Sequence, residues 1–348
     1  MAKSKTIFTG KQPIIGRTDE LNTLQGLLNS KEAELLAIYG RRRVGKSFLI
    51  KQALDANTIF SFTGSKEDTK DENLKNFIDL INQLMKPPIP YAKPLEWRDA
   101  FNILKKYIEQ HSIKSKKVIV FDELPWLASK NSGFLAAFDY FWNSWAVNQN
   151  LIVVICGSAA SWIIEHVIND TGGLHNRVTK KIHLQPFTLG ETEQYFKSKN
   201  INFTKYEITQ LYMALGGIPF YLREVKGGKS VPKEIDRICF GKNAPLYGEF
   251  ENLYKSLFSK YETHLSIIKA LAKKRKGLTR NELLKASKLN SGGTFTAALN
   301  ELEASSFISF YNPFGKRERD SLYRLTDEYS FFYLKYILGN ETATGYWL

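Results

Sequence analysis

The residues from Gly40 to Ser47 read Gly-Arg-Arg-Arg-Val-Gly-Lys-Ser and fit the spacing G-x-x-x-x-G-K-[ST] without a gap. Glycines at both ends let the backbone wrap closely around phosphates, with its N–H groups turned inward. The Lys46 ammonium reaches β- and γ-phosphates, and the Ser47 hydroxyl suits Mg²⁺. A helix opening at this point adds its positive N-terminal end. Gly40, Arg41, Arg42, Arg43, Val44, Gly45, Lys46, Ser47 and Phe48 are therefore the expected binding segment for a nucleoside triphosphate, ATP with Mg²⁺.

A second motif is Val118-Ile119-Val120-Phe121-Asp122-Glu123. An apolar run that ends in two carboxylates can hold Mg²⁺ through Asp122, directly or through water, and polarise an attacking water through Glu123 as general base. Alone, such a pair can equally cap the next segment. After a phosphate loop in the same pattern, it points to triphosphate hydrolysis. A third apolar run, 151–155, ends in Cys156-Gly157-Ser158. Ser158 is the candidate to sense a γ-phosphate; a plain strand-end turn is the alternative. Arg177 follows the Gly-rich stretch Thr171-Gly172-Gly173. It can contact a γ-phosphate in cis, or from a neighbouring copy in a homo-oligomer, or be an ordinary surface cation.

These residues need elements to hold them. Leu21, Leu24, Leu27 and Leu28 recur at helical spacing, with Thr18 or Asp19 as cap. The run 35–39 reads as a strand entering the phosphate loop, and 58–62, rich in β-branched and aromatic residues, as another. Strands at 118–121 and 151–155 enclose a helical pattern at 134–145. Such alternation means a parallel sheet with helices on its faces. Pro87, Pro88, Pro90 and Pro94 mark a loop. Residues 186–260 read as mainly helical, interrupted at Gly216-Gly217-Ile218-Pro219. Beyond 261, helices are expected at 265–272, 280–287 and 294–304, the second opened by a capping box of Thr279 and Glu282. Strands at 307–311 and 321–325 then surround the turn Pro313-Phe314-Gly315-Lys316. Three helices followed by a hairpin suggest a winged helix-turn-helix.

The 348 residues, 43% of them hydrophobic and 24% charged, suffice for two or three domains and exclude a disordered chain. No apolar run reaches the roughly 18 residues of a membrane span, and no apolar signal core follows the basic N-terminus. The expectation is a soluble, cytoplasmic protein with no membrane partner. Two cysteines and five scattered histidines make neither a disulfide framework nor a zinc site. The net charge of +14 favours polyanions, duplex DNA among them. Residues 295–302, the expected recognition helix, hold no Lys or Arg. Cations lie instead at Lys273, Lys274, Arg275, Lys276 and Arg280, and on the wing at Lys316, Arg317 and Arg319. Glu301, Glu303, Glu318 and Asp320 offset part of this charge. Wing-led DNA binding and a protein-contact role both stay open.

Several segments together resemble the archaeal-type ATPase family, within the STAND branch of AAA+-related P-loop NTPases. They are residues 15–21, the stretch 39–47, the Asp122-Glu123 pair, Gly157-Ser158, Asn176-Arg177-Val178 and the stretch Gly216-Gly217-Ile218-Pro219-Phe220-Tyr221-Leu222. The resemblance implies an α/β P-loop NTPase core over 1–185, a helical lid over 186–260, and a winged-helix domain with a C-terminal tail over 261–348. It also implies that Gly16 and Arg17 pack near the adenine, and that Pro219 sits in the lid and reports on the nucleotide.

Overall fold

The computed structural model describes residues 13–111, 115–315, 317 and 320–340. Contacts divide the chain into two compact units. The first holds the chain up to Tyr39, then Lys46–Ser158 and Trp162–His183. The second holds Gly40–Gly45, Ala159–Ser161 and the chain from Leu184 on.

The first unit is built on five strands: β1 (Glu34–Tyr39), β2 (Thr58–Thr63), β3 (Lys117–Asp122), β4 (Leu151–Gly157) and β5 (Lys180–His183). Their order is β2-β3-β4-β1-β5, and every pairing is parallel. β4 is thus inserted between the strand that enters the phosphate loop and the strand that ends in carboxylates. Val154 pairs with Leu36 on one side and Val120 on the other. All seven residues of β4 are buried, as a central parallel strand requires and as its unbroken apolar run foretells. β5 has no counterpart among the strands expected from the sequence. Its residues Lys-Lys-Ile-His include a single aliphatic one, because it is an edge strand whose two lysines are exposed.

One face of this sheet carries a core rich in aromatic rings. Phe60, Phe77, Trp97, Phe101, Phe121, Phe134 and Phe138 are all buried within it. Phe77 meets Trp97 edge-on at 5.4 Å and Phe101 stacks on Phe141 at 5.0 Å. The helices Lys70–Met85 and Trp97–Gln110 supply several of these rings, and the proline-marked loop separates them. The first helix, Thr18–Asn29, is capped differently from expectation. Gly16 and Arg17 both turn left-handed, at φ 61° and 57°, and Arg17 occupies the cap position. The Arg17 carbonyl takes the Leu21 N–H at 2.8 Å. Thr18 and Asp19 are already inside the helix, so neither serves as its cap.

The second unit contains the helices Leu189–Ser198, Lys205–Leu215, Pro219–Leu222, Val231–Cys239 and Glu249–Leu257. Then follow Tyr261–Ala272, Arg280–Ser287 and Gly293–Ala304, the antiparallel hairpin of β6 (Ile308–Tyr311) and β7 (Leu322–Leu325), and the helix Glu328–Phe332. Thr188, Thr204 and Thr279 each form a complete capping box with the Glu three residues on. Each such cap stabilises its helix by about 1 kcal/mol. Lys316, Glu318 and Arg319 of the expected wing lie outside the described residues.

Candidate nucleotide site

In the first unit, polar groups converge at the C-terminal ends of β3 and β4. The helix Lys46–Leu54 begins directly after the phosphate loop, and Lys46 is buried in its first turn. Ser47 Oγ donates to Asp122 Oδ2 at 2.7 Å. The other oxygen of Asp122 accepts from the Glu123 N–H at 2.9 Å. Burial, and next to it the Asp122 carboxylate, hold the Cys156 thiol well above its ordinary pKa, so the thiol stays protonated and hydrogen-bonds to Asp122. The sequence places Cys156 in the core, and the signal it offers for this bond is position alone, two residues before Ser158 on an alternating strand end.

Glu123 adopts φ 50°, a left-handed conformation uncommon for a residue with a Cβ. This turn carries its side chain to Ser158: Glu123 Oε2 accepts from Ser158 Oγ at 2.9 Å and from the Ser158 N–H at 3.1 Å. Ser158 is 1% exposed. Gly64, just after β2, braces the same turn. Its N–H donates to the Asp122 carbonyl at 2.9 Å, and a Cβ at Gly64 would come within 2.8 Å of the Glu123 carbonyl oxygen. The cluster therefore consists of Ser47, Asp122, Glu123, Cys156 and Ser158. A hydroxyl and a carboxylate at hydrogen-bond distance form the hard oxygen pair that Mg²⁺ accepts, so Ser47 and Asp122 fit such an ion. Beside them opens a groove of about 360 Å³, lined by Ser47, Lys51, Asp55, Ser61, Thr63 and Asp122.

Within the second unit, Gly40, Arg43 and Gly45 have φ values of 145°, 74° and 96°. Alternation of left- and right-handed residues is how a loop turns successive N–H groups toward an anion. Gly40 cannot be replaced without movement, because a Cβ there would lie 2.4 Å from the Leu184 carbonyl oxygen. Arg41 is 1% exposed and pairs with buried Asp327. Burial is the largest influence and opposes the Arg41 charge, but Asp327 together with Tyr221 and Tyr254 outweighs it, and the guanidinium pKa is raised. Val44 is buried, while Arg42 is half-buried.

Glu328, beside that pair, has a carboxyl pKa pushed up to about 7, chiefly by burial and then by the Asp327 charge, with Arg41 and Arg275 pulling it down. Tyr212 feels the Glu328 charge and, chiefly through burial, is itself pushed up to about 12. The folded pKa of Glu328 exceeds the unfolded one, so its protonation stabilises the fold fully below the ordinary carboxyl range. That contribution is lost as pH rises through about 7. Relative to Glu328→Gln, the wild-type chain should lose up to about 3 kcal/mol between about pH 4.5 and about pH 8. Melting temperatures of the two chains across that range check this; curves that stay parallel contradict it.

Arg17 is buried and pairs with Glu20 at 3.6 Å. Arg177 is exposed, in a turn whose N–H donates to the Leu174 carbonyl at 3.0 Å. Phe48 is 41% exposed, so its contribution to an anion site would be its backbone. Pro219 opens the short helix Pro219–Leu222.

A parallel sheet with a strand inserted between β1 and β3, a G-x-x-x-x-G-K-S loop leading into a helix, and a strand ending in Asp-Glu define a P-loop ATPase domain. The profile of the ATPase domain found predominantly in Archaea matches residues 15–225, and the chain belongs to that family. Over 336 residues it is 28% identical to an uncharacterized protein of Methanocaldococcus jannaschii, covering 94% of this chain and 70% of that one. It superposes on the Walker-type ATPase of Pyrococcus abyssi with a TM-score of 0.62 at 20% identity, covering 92% of this chain and 96% of the other. The ORC2 protein of Aeropyrum pernix, solved with ADPNP and ADP, gives 0.51 at 14% identity, with 95% of each chain covered. At these identities the two structures establish the fold. Among the described residues no helix is long and apolar enough to cross a membrane.

Proposed function

We propose that this nucleotide-binding ATPase is a Mg²⁺-dependent molecular switch whose C-terminal region is a winged-helix output domain acting on duplex DNA. The observation that carries the Mg²⁺ and hydrolysis reading is the joined cluster of Ser47, Asp122, Glu123 and Ser158. Ser47 and Asp122 would hold the ion, which neutralises phosphate charge when bound. Glu123 takes a proton from water as the water oxygen attacks the γ-phosphorus; the bond to the β–γ bridging oxygen breaks, and ADP leaves with that electron pair. Ser158, bonded to the Glu123 carboxylate, orients the base and links it to the place a γ-phosphate would occupy. Lys46 neutralises the β- and γ-phosphates. Arg177, exposed on its turn, serves as a finger in cis or toward a second copy.

The order of three helices and a hairpin after Tyr261 supports the winged helix, and the helices from Leu189 to Leu257 support a lid that includes Pro219. The net charge of +14, with exposed Arg317 and a fully exposed Phe314 at the hairpin turn, supports DNA. Changing Lys316, Arg317 and Arg319 together to Ala should weaken binding to unrelated duplexes. It should lower the salt slope by about one unit for each phosphate no longer touched, while turnover without DNA stays near wild type. Duplex titrations at several salt concentrations, beside phosphate release without DNA, check both halves.

One observation favours a second reading, a STAND-type signalling switch whose winged helix contacts protein. The helix Gly293–Ala304 carries no cation, and its Glu301 meets His264 at 2.6 Å. If the triple variant keeps its DNA affinity and changes ATP turnover instead, that second reading replaces the first.

A further inference from the structure

The phosphate-loop residues Gly40–Gly45 group with the chain from Leu184 on, and within that unit two loop arginines make ion pairs. Arg41 pairs with Asp327, and its guanidinium lies over the Phe307 ring at 4.3 Å. Asp327 is itself fixed, accepting from the Ser330 N–H at 2.9 Å as the cap of the helix Glu328–Phe332. Arg43 pairs with buried Glu249 and lies over the Phe220 ring at 4.1 Å. Glu249 is likewise fixed, accepting from the Tyr221 hydroxyl at 2.6 Å. Burial raises the Glu249 pKa, while Tyr221 and Arg43 work to keep it charged.

Between these anchors the two arginines differ in one respect. Arg43 is the loop residue with a side chain and a left-handed backbone, at φ 74°. That conformation is disfavoured for any residue with a Cβ, and it is also the one that turns a loop's N–H groups toward an anion. The Arg43 side chain is met by Glu249, by the Phe220 ring and, at 6.0 Å, by the Tyr221 ring.

We propose that Glu249 is a positioning residue for nucleotide binding: by gripping Arg43 it keeps the phosphate loop in its left-handed, anion-ready turn, while Arg41–Asp327 fixes the start of the loop. ATP affinity is thereby set partly by Glu249, a residue far from the loop in sequence. The inference rests on reading residues 40–47 as the phosphate loop.

The test uses the full chain and titrates ATP into wild type, Glu249→Gln and the double variant Arg43→Gly/Glu249→Gln, with melting temperatures recorded for each. Glu249→Gln should weaken ATP affinity about tenfold, the scale on which the left-handed region is disfavoured for a residue with a Cβ. Glycine adopts that region freely, so the double variant should recover most of that affinity even though the ion pair is gone. A merely structural role for Glu249 would lower the melting temperature without this rescue. Affinity unchanged or tightened in Glu249→Gln overturns the inference, as does a double variant no better than the single one; in those cases ATP binding by wild type still stands. A wild-type chain that binds no ATP overturns both the inference and the reading beneath it.

Discussion

Glu123→Gln leaves ATP binding intact and slows hydrolysis by roughly 10²-fold or more, the usual scale for loss of a general base. Glutamine keeps the shape of the side chain and can still meet the Ser158 hydroxyl, which lies 2.9 Å from the native carboxylate. What it lacks is the basic oxygen that, on the proposed reading, takes the proton of the attacking water. The neighbouring Asp122, with its Ser47 partner, is untouched, so the proposed place for Mg²⁺ remains. A pre-steady-state measurement therefore shows bound ATP that persists over many wild-type turnovers. Unchanged turnover would reassign Glu123 to its other visible role, the left-handed cap of the short helix Leu124–Leu127.

Lys46→Ala removes the main positive charge offered to the β- and γ-phosphates, and ATP affinity should fall by roughly 30-fold or more. A hydrogen bond to a charged group contributes about 1.5–3 kcal/mol, and more is forfeited when the site is buried, as Lys46 is. The loop shape does not depend on this side chain, because Gly40, Arg43 and Gly45 set it through their backbone conformations. Calorimetric titration beside a melting curve separates weakened binding from a damaged fold. ATP binding as tight as wild type in a folded variant would remove the loop from the nucleotide site.

The two motifs are legible in the sequence because each is a short stretch placed at a strand end by an apolar run. β1, β3 and β4 are central and parallel, so their sequences are nearly continuous apolar residues. β5 is not legible, because an edge strand of Lys-Lys-Ile-His pairs through its backbone and leaves its lysines in solvent. Capping at Thr279 is legible because Glu282 completes the local pattern; capping at Arg17 is not, because it rests on two left-handed residues and no side chain. Arg41 and Arg43 read simply as interior positions of the loop motif. Their partners Asp327 and Glu249 lie far away in sequence, and no local spacing foretells such pairs. The Glu123–Ser158 hydrogen bond is hidden for the same reason, since it requires β3 and β4 to be neighbours.

The most direct test is release of inorganic phosphate from ATP by the wild-type chain, measured with Mg²⁺ and again after the metal is chelated. Release that requires Mg²⁺ and falls to background in Lys46→Ala is the predicted result. Release no greater than that of Lys46→Ala, with Mg²⁺ present and the chain folded, would contradict it.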